Sequence, residues 1–206
     1  TTEIYTLSLH DALPICLNLC RVDTRNVLNV KEFEFSQNYL MFWDKLERAN
    51  FILEAIIETA DRPSDDRTVD FLLRNPLSDG GQWDMFTALV AKHGVVPKTS
   101  MPETESSANS GRMNASLNYQ TRQGAKRIRD AYAKESGLDE LRGIKDQTLK
   151  VIYDVLCIHL GTPPTEVDWQ WKDKDDKFTR SGKLTPLQFA ARSEEHTSEL
   201  QSRTNL

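Results

Sequence analysis

Between Ser36 and Asp61 the chain sets Tyr39, Phe42, Trp43, Leu46, Ala49, Leu53, Ile56 and Ile57 three or four positions apart. That spacing gathers the apolar side chains on one face of an α-helix of about six turns. So long a stripe is unstable in water and has to be covered by other elements of the same fold. Ser36 is a good N-cap, because its hydroxyl can accept from an amide of the first turn, and Asp61-Arg62-Pro63 closes the pattern. The chain is therefore expected to build a core around this helix.

The remaining elements follow from caps and breakers. Cys16 to Arg25 reads as the tail of a longer helix, since Leu17, Leu19, Cys20 and Val27 carry no start signal before them. Asp66 to Arg74 is a short helix stopped by Asn75-Pro76, and Gln82 to Lys92 another, closed by Gly94. Trp83 and Met85 are expected in the core, and Val95-Val96-Pro97 runs extended. The polar stretch Thr99 to Arg112 reads as a loop, and Asn114 to Lys134 and Leu138 to Leu160 as long helices, the second ended by Gly161 and Pro163-Pro164. Val167 to Trp171 alternates like a strand, Lys172 to Lys177 is a charged turn, and Phe178 to Arg180 returns as its hairpin partner. Thr185-Pro186 opens a last helix. No internal repeat is present.

Composition narrows the partners. With 26 basic against 31 acidic residues in 206, the net charge of -5 offers no field to attract nucleic acid or anionic lipid, so both are disfavoured. No stretch reaches the roughly 20 apolar residues that span a bilayer, and no signal peptide is recognisable. The three cysteines are an odd number, too few for a disulfide framework, which points to a reducing compartment and a cytoplasmic chain. Both ends read as translated sequencing adapter: Thr1 to Ile15, TTEIYTLSLHDALPI, at the front, and Arg192 to Leu206, beginning RSEEHTSELQS, at the back. Setting aside their five acidic and two basic residues leaves 24 basic and 26 acidic in Cys16 to Ala191.

Few residues carry chemistry. Gly80 and Gly81 precede a helix, where paired glycines serve either as an ordinary tight turn or as a place where another chain comes close. Asp173, Asp175 and Asp176 resemble the start of a calcium loop, but the central glycine is missing and Leu184 stands at the twelfth position. Cys16, Cys20, Cys157 and His159 match no zinc spacing, so neither a metal nor an organic cofactor is expected. Cys16 and Cys20 read as buried structural thiols, and Arg122, Lys126, Arg127 and Arg129 as a solvated basic face without an aromatic platform. Asn114-Ala115-Ser116 fits a glycosylation triplet, which matters only in a secreted protein.

Three ordered blocks resemble the aminopeptidase C and bleomycin hydrolase family of papain-like cysteine peptidases. They are KEFEFSQNYLMFWDKLERANFILEAIIETAD (Lys31 to Asp61), DGGQWDMFTALVAKHGVVPKTSMPET (Asp79 to Thr104) and LGTPPTEVDWQWKDKDDKFTRSGKLTPLQF (Leu160 to Phe189). The resemblance implies an α+β papain-like fold with a helical and a β-rich lobe. Residues 16–191 would then be a partial peptidase domain, mostly the helical lobe with a short β-hairpin, plus a family insertion from about Ser110 to Pro164. It also implies peptide substrates, release of N-terminal amino acids through a cysteine thioester, no cofactor, and a homo-hexamer for the intact parent. By the same resemblance, Gly80 and Gly81 would correspond to the glycine strip that hydrogen-bonds a bound peptide.

The family's catalytic residues are not matched. Its cysteine lies in a Gly-Arg-Cys-Trp-type motif, which would fall about five residues before Cys16, and Cys16 is followed by Leu17-Asn18. Its histidine and asparagine, in His-Ala-Met-type and Asn-Ser-Trp-type motifs, have no counterpart here; His93 and His159 read as helix-terminal or core residues. The chain as written is thus expected to be inactive. Ignoring the blocks, a non-enzymatic helical interaction module is the alternative.

Overall fold

A computed structural model describes residues 25, 30, 32–77 and 83–192. Six helices and a hairpin carry the described chain: α1 Gln37–Glu58, α2 Arg67–Arg74, α3 Trp83–His93, α4 Glu105–Ala108, α5 Gly111–Tyr132, α6 Leu138–Leu160, β1 Val167–Lys172 and β2 Phe178–Leu184, with a further helical segment at 186–192. This is the α+β composition expected. No helix among the described residues is long and apolar enough to cross a membrane. The chain divides into two compact units, one of Thr1–Met41, Asp79–Glu103 and Pro163–Leu206, the other of Phe42–Ser78 and Thr104–Thr162, so the division falls inside α1.

In the first unit, residues 32–35 run extended and Phe35 bridges Pro97 in antiparallel fashion, with Ser36 N–H donating to Val96 O and Lys98 N–H to Glu34 O. Ser36 caps α1 as its sequence suggests: its Oγ accepts from Tyr39 N–H at 3.0 Å and donates to Met101 O. Phe33, Phe35, Trp169 and Phe189 form the aromatic centre, with Phe33 edge-on to Trp169 at 5.4 Å and Trp169 edge-on to Phe189 at 5.2 Å. β1 and β2 pair antiparallel, and Val167, Trp169 and Trp171 share the less exposed face, the two tryptophans stacked 5.5 Å apart. The register shifts between Trp169 and Gln170, which face Gly182 and Arg180, so Ser181 is the extra residue of a bulge. The return strand continues past this bulge to Leu184, four residues beyond the expected Arg180, and buries Leu184 opposite Val167.

The second unit packs α1 from Phe42 onward with α2, α4, α5 and α6. Its core joins Ile52, Leu53, Ile56 and Ile57 of α1, Leu72 of α2, Ala125, Ile128 and Ala131 of α5, and Leu141 of α6. Fully burying a side chain of Leu or Ile size contributes about 1.5–3 kcal/mol, which is what the α1 stripe required. α2 is capped by Asp66, whose carboxylate accepts from Thr68 and Val69 amides. α4 is a turn of helix inside the stretch expected to be loop. Thr104 and Ser107 cap each other reciprocally there, and serine in place of Glu or Gln at the third position hides the usual signature.

Candidate functional site

Gly80 and Gly81, the expected substrate contact, lie outside the described residues, as do Cys16 and Cys20. The chain on either side of the glycines is described, and each flank is fixed by identifiable interactions.

Upstream, in the second unit, α2 ends at Arg74 and Asn75-Pro76-Leu77 leads out of it. Arg122 of α5 donates to Leu73 O at 2.9 Å and Arg74 O at 2.6 Å, occupying carbonyls that the end of α2 leaves without helical donors. Leu77 N–H donates to Asn118 Oδ1 of α5 at 3.2 Å, and Leu77 O accepts from Lys45 Nζ of α1 at 3.3 Å. Lys45 is 1% exposed and Leu77 likewise. A lysine so deeply buried needs partners for its amino group, and the Leu77 carbonyl is one of them.

Downstream, in the first unit, α3 starts at Trp83 and turns Phe86 and Leu89 inward. Met85 is 40% exposed, which corrects the expectation that it belongs to the core. It precedes Phe86 by one residue, about 100° around the helix from the buried face. The side chain of Trp83 lies outside the described residues. α3 ends as expected at Gly94, with φ +74° and a donated hydrogen bond to Val90 O; His93 O accepts from Tyr39 Oη at 2.7 Å.

The other polar residues resolve into structural roles. His159 Nδ1 is 2.9 Å from Ser106 Oγ, and His159 O accepts from Thr104 Oγ1, so the end of α6 is tied to α4. Cys157, a half-buried free thiol, sits two residues from His159 on the same helix, where side chains do not face each other. It lies beside Tyr153, whose phenol is pushed up first by burial and then by the neighbouring thiol. Asp173 Oδ1 accepts from both Asp175 and Lys177 amides, closing the hairpin turn, and no group of three or more His, Cys, Asp or Glu residues poised for a metal occurs among the described residues.

The basic cluster on α5 is less simple than a solvated face. Lys126 pairs with Asp130 and Arg127 with Gln147, but Arg129 reaches Thr59 O and Arg62 O just as Arg122 reaches Leu73 O and Arg74 O. Two of the four cations thus hold the ends of α1 and α2. Nothing in the local sequence signals this, because the accepting carbonyls lie 48 to 70 positions away.

The sequence matches the Peptidase C1-like family over residues 13–201. It is 44% identical over 176 residues to bleomycin hydrolase of Homo sapiens, covering 84% of this chain and 39% of that protein. It is 43% identical to aminopeptidase C of Listeria monocytogenes, covering 85% and 39%. Among solved structures it is similar to PepW of Lactobacillus rhamnosis HN001, with a TM-score of 0.84 and 40% identity over 86% of this chain and 40% of that one. The chain spans about two fifths of the length of these relatives.

Proposed function

The chain belongs to the Peptidase C1-like family, and on that premise we propose that it is part of a cysteine aminopeptidase that releases N-terminal amino acids from peptides. The observation that carries this reading is the 44% identity over 176 residues with a protein named bleomycin hydrolase, alongside 43% with one named aminopeptidase C. In the intact enzyme a cysteine sulfur adds to the first peptide carbonyl. The bond to nitrogen then breaks as a histidine hands its proton to the leaving amine, and water releases the amino acid from the thioester. Within this reading Gly80 and Gly81 hydrogen-bond the backbone of the bound peptide, residues from about 110 to 164 are a family insertion, and the parent is a cytoplasmic homo-hexamer without a cofactor.

The sequence matches none of the family's cysteine, histidine and asparagine motifs, and on that ground the chain as written is inactive in this account. The test is a purified sample incubated with aminoacyl amides: no turnover is expected, and hydrolysis blocked by iodoacetamide would overturn it. In the intact peptidase, Gly81→Ala tests the substrate contact; it should raise KM for peptide amides, and an unchanged KM would remove Gly81 from the site.

A further inference from the structure

In the second unit, four exposed large apolar side chains fall into two groups that carry opposite charge. The first group lies on α2, where Arg67, Phe71 and Arg74 are spaced four and three residues apart and so share one face. Phe71 is 77% exposed there, although phenylalanine is among the residues most often buried. Arg122 of α5 is held against the end of α2 by its bonds to Leu73 O and Arg74 O. Tyr119, 59% exposed, stands one turn before it on α5. Three arginines thus accompany two exposed rings, with Asp70, paired to Arg74, as the opposing charge.

The second group is the turn between α5 and α6. Tyr132 and Leu138 are 42% and 51% exposed, and Glu135, Asp139 and Glu140 are exposed beside them, with Lys134 as the opposing charge. Glu135 has φ +63° while Ser136 N–H donates to Ala131 O, a helix ending that glycine or asparagine fills with less strain. A glutamate here sets a carboxylate at the tip of the helical hairpin. Within one molecule the two groups cannot meet. Tyr119 and Tyr132 are thirteen residues apart on one unbroken helix, about 20 Å at a rise of 1.5 Å per residue.

We propose that the basic α2 face of one copy docks on the acidic α5–α6 turn of a second copy, with Phe71 against Leu138 and with Arg67 and Arg74 against Glu135 and Asp139. Opposite charges fix the pairing, and the apolar side chains between them supply the burial. Because the two surfaces differ, the contact is head to tail, and its repetition gives a ring where the rotation closes. This gives the homo-oligomeric reading of the parent a specific pair of surfaces, and it needs neither the catalytic residues nor the glycine strip.

Sedimentation velocity of the full chain, over a concentration series in low salt, tests the pairing. Self-association is expected, weaker in high salt because exposed charges are screened. Arg67→Glu with Arg74→Glu, or Glu135→Lys with Asp139→Lys, should each weaken it about tenfold or more by setting like charges opposite one another. Phe71→Ser, at an exposed position, should weaken it as well. Mixed together, the two charge variants should form a one-to-one pair, since one keeps the native turn and the other the native α2 face. A chain carrying all four charge substitutions should associate again. A native chain that stays monomeric at every concentration would overturn the pairing and leave assembly of the parent to other surfaces. Association unmoved by either charge variant, or not restored in the fourfold variant, would overturn the pairing while the homo-oligomeric reading stands.

Discussion

Gly124 of α5 faces Thr148 of α6 so closely that a Cβ on the glycine would lie 2.5 Å from Thr148 Cγ2 and 2.7 Å from its Oγ1. Thr148 cannot easily turn away, because its hydroxyl donates to Ile144 O at 2.8 Å and the side chain is branched at Cβ. The two long helices of the second unit therefore approach through this glycine.

Gly124→Ala should accordingly destabilise the chain. Better helix propensity returns about 1 kcal/mol, but crowding at so short an approach costs about 2–3 kcal/mol, and the net expected loss is about 1–2 kcal/mol. A lower urea midpoint would register it. Adding Thr148→Ala opens the space and should recover most of the loss; a single variant as stable as the parent would refute the contact.

In the first unit Gly94→Ala should be more damaging. The residue has φ +74°, and a Cβ there would fall 2.2 Å from Pro186 C, a backbone atom that cannot swing aside. Left-handed backbone and overpacking together predict a loss of about 2–4 kcal/mol. Thermal unfolding followed by near-ultraviolet circular dichroism, which reads the Trp169 cluster, would show it as an earlier transition.

Acid should weaken the tie between α1 and α6. The Glu54 carboxylate accepts from Lys145 Nζ at 2.6 Å and Arg142 Nη2 at 2.8 Å, and these hydrogen bonds, that of Lys145 first, hold its pKa below the usual value. A carboxyl with a lower pKa in the folded state adds stability above its unfolded pKa, about 4.3, and loses it as pH falls through the folded pKa. Glu54→Gln should thus be less stable than the parent at neutral pH, with the gap closing below about pH 4. Denaturant titrations across that range would decide; a gap that persists in strong acid would contradict the assignment.

The α5 cations should separate by role. Arg129→Met removes the side-chain donor to Arg62 O and leaves Thr59 O only the Arg62 amide, and should cost about 1–3 kcal/mol. Arg129→Lys should not fully restore it, since one ammonium does not reproduce a guanidinium reaching two carbonyls. Lys126→Ala, which removes an exposed pair with Asp130, should change stability by no more than about 0.5 kcal/mol. Equal losses at both positions would mean that the cluster is uniform after all.

What could be read in advance was whatever depends on neighbours in sequence. Ser36 and Gly94 act over three or four residues, and each caps the helix expected of it, while Asp66, read as the first residue of its helix, is its cap. α4 escaped because Thr104 and Ser107 cap each other without the acidic residue that marks such turns. Met85 was misplaced because α3 is short, and one residue of phase decides which side chain faces inward. The clamp on Leu77 was beyond reach for another reason. Asn118 and Lys45 look like ordinary polar positions on helices, and only the folded chain brings them to one peptide unit.

The second unit also sets a timetable for synthesis. Its hydrophobic cluster joins Leu72 of α2 to Ala125 of α5, and the residues between Ser78 and Thr104 belong to the other unit. At about 5–20 residues per second, a ribosome needs roughly 3–10 s to deliver the second half of that core after the first. During that interval Ile52, Leu53, Ile56 and Ile57 have no native partner on α5. A nascent chain stalled near residue 110 should therefore be held by chaperones, and one extended past α6 should be released.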